Sequence, residues 1–254
     1  PPRAGALGQH GKHRSLVRFC ISAALALMLA PMAAAQAAPC RLALLLALDV
    51  SSSVDPEEDR LQRGGLAAAL RAPSVARAFF TSDTAVALAA YEWSGEAHQQ
   101  IVLDWTLIDH PAALTRAADI IETSLRSESS LPTAMGHALR FGATLFDGAP
   151  ACDARVIDMA GDGQNNEGFG PKTAYRAAHF SEISVNGLVV NAADFEGELG
   201  LIAFYKSQVL HGLGAFMIVA SGFADLERAM RVKLIREVSP PALGALPQIQ
   251  GPKG

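Results

Sequence analysis

The sequence predicts a doubly wound α/β domain: a mainly parallel, six-stranded sheet with helices on both faces. Three observations lead there. Apolar runs of strand length alternate with helical patterns from residue 42 to residue 236, as in parallel strands joined by crossover helices. The first run, Leu42 to Leu48, is continuously apolar, as suits a strand covered on both faces. Polar clusters directly follow the first and fourth strand-like runs, where open α/β sheets place their ligands.

The elements follow in order. After Leu42–Leu48 comes Asp55-Pro56-Glu57-Glu58. Asp55 suits a helix cap, Pro56 the first helical position, and Glu58 completes a capping-box pattern. That helix is expected to reach Leu70 and stop before Pro73. Thr84 to Tyr91 and Gln99 to Leu103 read as a strand pair close enough to form a hairpin. Pro111 to Leu125 reads as a helix, 127–132 as a polar loop, and Thr133 to Phe146 as a further helix. Arg155 to Ala160 is the fourth strand, closed by Gly161-Asp162-Gly163. Pro171–Phe180 (helix), Ser184–Val190 (strand), Leu199–Leu210 (helix), Ala215–Ala220 (strand) and Ala224–Arg236 (helix) complete the series. Residues 239–254, which include Pro240 and Pro241, read as a disordered tail.

The first 37 residues read differently. Arg14 and Arg18 precede an apolar run from Phe19 to Ala30, and Ala35-Gln36-Ala37 closes it. A basic start, a short apolar stretch and an A-x-A end describe a secretory leader cleaved near Ala37. The run falls short of the ~20 residues a membrane span requires, although an N-terminal anchor is the alternative. The opening dozen residues read as an over-extended start. Without this segment, 17 basic residues face 25 acidic ones, a net charge of −8. Such an acidic domain argues against nucleic acid or anionic lipid as a partner.

Three clusters carry the chemistry. In Asp49-Val50-Ser51-Ser52-Ser53 a carboxylate and two hydroxyls stand at i, i+2 and i+4 just past a buried strand. Oxygen donors of this hardness suit Mg²⁺, Mn²⁺ or Ca²⁺; the plainer alternative is a turn whose side chains satisfy backbone N–H groups at a helix start. Gly161-Asp162-Gly163-Gln164-Asn165-Asn166 puts a second carboxylate after another buried strand. Ser130-Leu131-Pro132-Thr133 offers a hydroxyl before a helix, which on its own reads as a cap.

Together, D-x-S-x-S, a loop threonine and an aspartate after the fourth strand resemble the metal-ion-dependent adhesion site (MIDAS) of von Willebrand factor A (VWA) domains. The likeness spans residues 40–238. More locally the chain resembles a branch of bacterial exported proteins classed only as a domain of unknown function. That impression rests on 47–51, Tyr91-Glu92-Trp93, 156–163, 183–188 and Gly214-Ala215-Phe216. The resemblance implies a divalent cation, Mg²⁺ first and Mn²⁺ or Ca²⁺ next, at a site made of Asp49, Ser51, Ser53, Thr133 and Asp162. In that scheme Ser51 and Ser53 ligate directly and Asp49 lies close by. Thr133 and Asp162 act directly or through water. Two carboxylates and neutral oxygens leave the ion under-neutralised, so a protein partner offering Asp or Glu would be gripped, without catalysis.

Two other readings compete. A haloacid dehalogenase-type phosphohydrolase also ends in a GDGxND-like motif, but requires a second Asp where this chain has Ser51. It also needs a lysine before that motif, whereas the first one after the leader is Lys172. A structural module with a vestigial metal site is the third reading. No G-x-S-x-G elbow or H-E-x-x-H spacing occurs, and Tyr91, Trp93 and Trp105 read as core. Cys40 and Cys152 form an even pair suited to an oxidising compartment. If Asp49 and Asp162 end neighbouring parallel strands at one ion, counting back nine and ten residues puts both cysteines near the far end of the sheet. A disulfide between them is then expected.

Overall fold

The computed structural model describes residues 40–127, 130–191 and 195–239, with side chains of 195–198 excepted. The expected leader and the tail from Pro240 lie outside the described residues. Among those described, six strands form one sheet in the order β3-β2-β1-β4-β5-β6. The strands are β1 (Cys40–Asp49), β2 (Ala85–Trp93), β3 (Gln99–Ile108), β4 (Arg155–Gly161), β5 (Ile183–Val190) and β6 (Met217–Ala220). Only β3 runs antiparallel, paired with β2 as the hairpin reading required. The helices are α1 (Pro56–Arg71), α2 (Pro73–Phe79), α3 (Pro111–Thr123), α4 (Met135–Leu145), α5 (Pro171–Ala174), α6 (Phe195–Phe204) and α7 (Leu226–Val238). None of these described helices is long and apolar enough to cross a membrane.

Alternation along the strands divides the core into two layers. Leu44, Leu46 and Leu48 of β1 pack with α1, α2, α3 and α7. Ala43, Leu45 and Ala47 pack with α4 and the segments following β4 and β5. Asp49 continues the second series. A continuously apolar β1 thus feeds both cores, and the doubly wound architecture follows.

Several boundaries differ from expectation. Pro73 does stop the first helix, but its fixed φ also opens a further one, α2, with Ala72 as an extended junction. β3 continues to Ile108, past the expected end at Leu103. The expected helix over Pro171–Phe180 breaks after Ala174: Ala177 is extended and a 3₁₀ turn follows over Ala178–Ser181. Tyr175 sits there between Phe180 and the stacked ring of His211, which draws the chain out of helical register. α6 gives way to a π-helical turn, Tyr205–Val209.

Cys40 and Cys152 are joined in a disulfide, with Cα atoms 4.4 Å apart. Cys40 opens β1 and Asp49 closes it, so the bond lies about 30 Å from the polar end of the strand. Replacing both cysteines by Ala should lower thermal stability, up to ~4–5 kcal/mol for so long a loop in the chain-entropy model. Calorimetric titration should find Mn²⁺ affinity unchanged; a parallel loss of affinity would show that the two ends of the sheet are coupled.

Candidate metal centre

The three sequence clusters meet at the carboxyl end of the sheet. Asp49 ends β1 and turns its Oδ1 back to accept the Ser51 backbone N–H at 2.8 Å. This tight turn places Ser51 and Ser53 on one side, their Oγ atoms 3.2 Å apart. Thr133 Oγ1 donates to Ser51 Oγ at 3.2 Å, and Ser53 Oγ donates to Asp162 Oδ1 at 2.8 Å. All five residues therefore join in one chain of contacts that runs inward from the surface. Ser53 is exposed, Asp162 is half-buried, and Asp49, Ser51 and Thr133 are buried.

The alternative roles are taken by other residues. The cap of α1 is Asp55, which accepts from Glu58 N while the Glu58 carboxylate accepts from Asp55 N, both at 2.8 Å. Ser51 and Ser53 are thus free of that duty. Thr133 is no cap either: α4 starts at Met135, and its cap residue is Ala134. Trp93 and Tyr91 lie in the core as expected, and Trp105 packs partly buried against it.

Residues to which the sequence assigned no role of their own hold the cluster in place. Gln62 of α1 donates to the Asp49 carbonyl at 2.9 Å. Arg126 spans the loop from below, donating to the carbonyls of Val54, Val50 and Ser51 at 2.5, 2.7 and 2.9 Å. Asn166 Oδ1 accepts from Thr133 N at 2.8 Å, and Asn165 Oδ1 accepts from Gly136 N at 3.1 Å. The two asparagines of the Gly161–Asn166 motif therefore lock the threonine loop and the first turn of α4 to the end of β4. Buried Glu92 accepts from Ser127 N at 3.0 Å and pairs with Arg63 at 2.5 Å, which fixes the start of the same loop. An Asn-Asn pair after a strand-ending glycine turn was the available signal. Gln62 and Arg126 carried none, because their partners are backbone carbonyls.

The electrostatics are unfavourable without a cation. Burial, and then the charge of Asp162, push the Asp49 carboxyl up to about 7. Burial raises Asp162 as well, despite its hydrogen bond from Ser53, and Glu58 adds to the rise. Asp49 Oδ2 is buried and has no hydrogen-bond partner among the described residues, a costly state for a carboxylate oxygen. Two carboxylates and three hydroxyls of this kind fit a hard divalent cation: a positive charge would relieve both acids.

Comparison with known proteins places the fold. Solved structures of similar fold include proximal thread matrix protein 1 from the mussel byssus with a zinc-occupied MIDAS motif. It is 13% identical, with 78% of this chain and 48% of that one covered and a TM-score of 0.56. A von Willebrand factor type A protein from Catenulispora acidiphila is 19% identical, with coverage of 79% and 43% and a TM-score of 0.51. The pilus adhesin SpaC from Lactobacillus rhamnosus GG is 12% identical, with coverage of 80% and 31% and a TM-score of 0.54. At such identities the likeness is one of fold, and the chain spans less than half the length of these proteins. Among curated proteins none matches. The fold is that of a von Willebrand factor A domain. The chain belongs to the family described as protein of unknown function (DUF1194), whose model matches residues 39–242.

Proposed function

We propose that this is an exported, non-catalytic binding domain that grips a protein partner through a divalent cation, Mg²⁺ in the first instance. Ser51, Ser53 and Thr133 would offer hydroxyl oxygens to the ion, and Asp49 and Asp162 would supply the charge. The observation that carries the reading is the buried, unpartnered Oδ2 of Asp49 beside a second raised carboxyl, both joined to three hydroxyls in one chain. The occupied MIDAS motif named for the mussel protein and the adhesin role named for SpaC support it by analogy of fold. Export is supported by the leader-like residues 1–37 and by a disulfide of the kind that persists in oxidising compartments. A partner carboxylate completing the coordination would make binding metal-dependent.

Calorimetric titration of the exported domain with Mg²⁺ and Mn²⁺ tests the metal. Retention of envelope proteins on the immobilised domain, in Mg²⁺ against EDTA, tests the partner. Retention is expected to vanish in EDTA and in Thr133→Ala. A partner held equally well in EDTA would mean that another surface is used, and no heat of binding with either ion would sink the metal reading.

A further inference from the structure

Among the buried groups around the centre, the hydroxyl of Tyr205 is unused. Its side chain lies wholly inside the protein, and Oη has no hydrogen-bond partner among the described residues. Buried tyrosine hydroxyls ordinarily find one. Asp49 Oδ2 is in the same condition. The two orphan oxygens flank a single point: a Cβ built on Gly161 would stand 2.9 Å from each.

The route by which the hydroxyl arrives there is built into three elements. α6 ends in the π-helical turn Tyr205–Val209, in which Leu210 N donates to Tyr205 O at 3.0 Å. Such turns are rare and concentrate at functional sites; this one is where Tyr205 enters the core layer that Asp49 shares. The ring then crosses β5 at Gly187, where a Cβ would come within 2.7 Å of Cδ1. The hydroxyl passes over β4 at Gly161 and reaches the end of β1. A side chain at either glycine would block this path. Gly161 and Gly187 are thus a groove across neighbouring strands, fitted to one tyrosine.

We propose that Tyr205 is the positioning residue of the metal centre: its hydroxyl is the donor that holds Asp49 Oδ2, directly or through one water, when a cation is bound. This rests on the metal reading above. Asp49 Oδ1 is already committed to Ser51 N, so a donor on Oδ2 fixes the second oxygen and with it the orientation of the carboxylate. Partners of this kind around a metal typically govern ~10–100-fold in affinity. A tyrosine hydroxyl carries its proton at neutral pH, hence it can donate.

Tyr205→Phe retains the ring that fills the groove and removes only the hydroxyl. It should weaken Mn²⁺ binding, read by calorimetry on the metal ion alone, by ~10-fold or more. Metal-free thermal stability should be equal or higher, because a buried unpaired hydroxyl is gone. Tyr175→Phe is the control: that hydroxyl donates to the Val209 carbonyl, so its loss should lower stability and leave Mn²⁺ affinity unchanged. Tyr205→Phe binding Mn²⁺ within twofold of the natural protein overturns the assignment. So do equal losses of affinity in the two variants, which would point to packing alone. A natural protein that binds no Mn²⁺ overturns the metal reading first and this assignment with it; those cases are told apart by the first titration.

Discussion

Replacing Asp49 by Ala is expected to weaken Mn²⁺ binding by about 100-fold or more while the domain stays folded. The loss should exceed that of an outer partner, because Asp49 brings one of the two negative charges in the cluster and sets the turn that presents Ser51. Stability should respond in the opposite sense, and Asp49→Asn shows it most cleanly, since the amide oxygen can still accept from Ser51 N. Burial and Asp162 raise the folded carboxyl to about 7 from its ordinary 3.8. Between those values the native state holds a proton that the unfolded chain has released, so metal-free stability falls as pH rises through the window. Asp49→Asn has nothing to titrate there. Its stability relative to the natural protein should climb from near pH 4 and reach its full gain above pH 7. Saturating Mn²⁺ should reverse the order, since only the natural protein then gains binding energy. Denaturant melts at pH 5 and pH 8, with and without Mn²⁺, measure this. A variant equally stable at both pH values relative to the natural protein would mean that Asp49 carries no buried-charge cost.

The contrast between Asp49 and Tyr205 shows what the sequence made legible. Asp49, Ser51 and Ser53 lie within one five-residue turn, and Asp162 stands at the corresponding end of another apolar run, so strand periodicity alone brought them to one end of the sheet. Thr133 needed a family resemblance to be joined to them, because its loop follows a helix and no strand register fixes it. On sequence Tyr205 belongs to an ordinary helix over Leu199–Leu210. Its role depends on a π-helical turn and on glycines from two other strands, relations that no local pattern records. The boundaries missed have the same origin: α5 is cut short where Tyr175 packs against rings from later in the chain.

A second buried cluster was legible in principle. Lys233 falls on the α7 stripe of Leu226, Ala229, Met230, Leu234 and Val238, all buried, and Asp158 sits in mid-strand with core on both sides. The structure joins them: Lys233 Nζ lies 2.7 Å from Asp158 Oδ1 and 2.5 Å from Glu237 Oε1, with all three side chains almost wholly inaccessible. Asn186 of β5 donates to the same Glu237 oxygen at 2.8 Å, and the Phe216 ring lies 5.3 Å from the ammonium. One lysine thus answers two carboxylates between β4, β5 and α7. Lys233→Met keeps the volume and removes the positive charge that meets both carboxylates. It is expected to destabilise the domain by ~3–5 kcal/mol at pH 8, the cost of leaving buried charge uncompensated. The penalty should shrink toward pH 5. Burial and Glu237 already push Asp158 up to about 7 against the pull of Lys233; without that pull its folded carboxyl rises further and is neutral at pH 5. Adding Asp158→Asn to Lys233→Met should recover part of the loss at pH 8 and little at pH 5. Urea unfolding of the three proteins at both pH values decides it: a Lys233→Met penalty below about 1 kcal/mol at pH 8 would show that the buried lysine is not what holds α7 to the sheet.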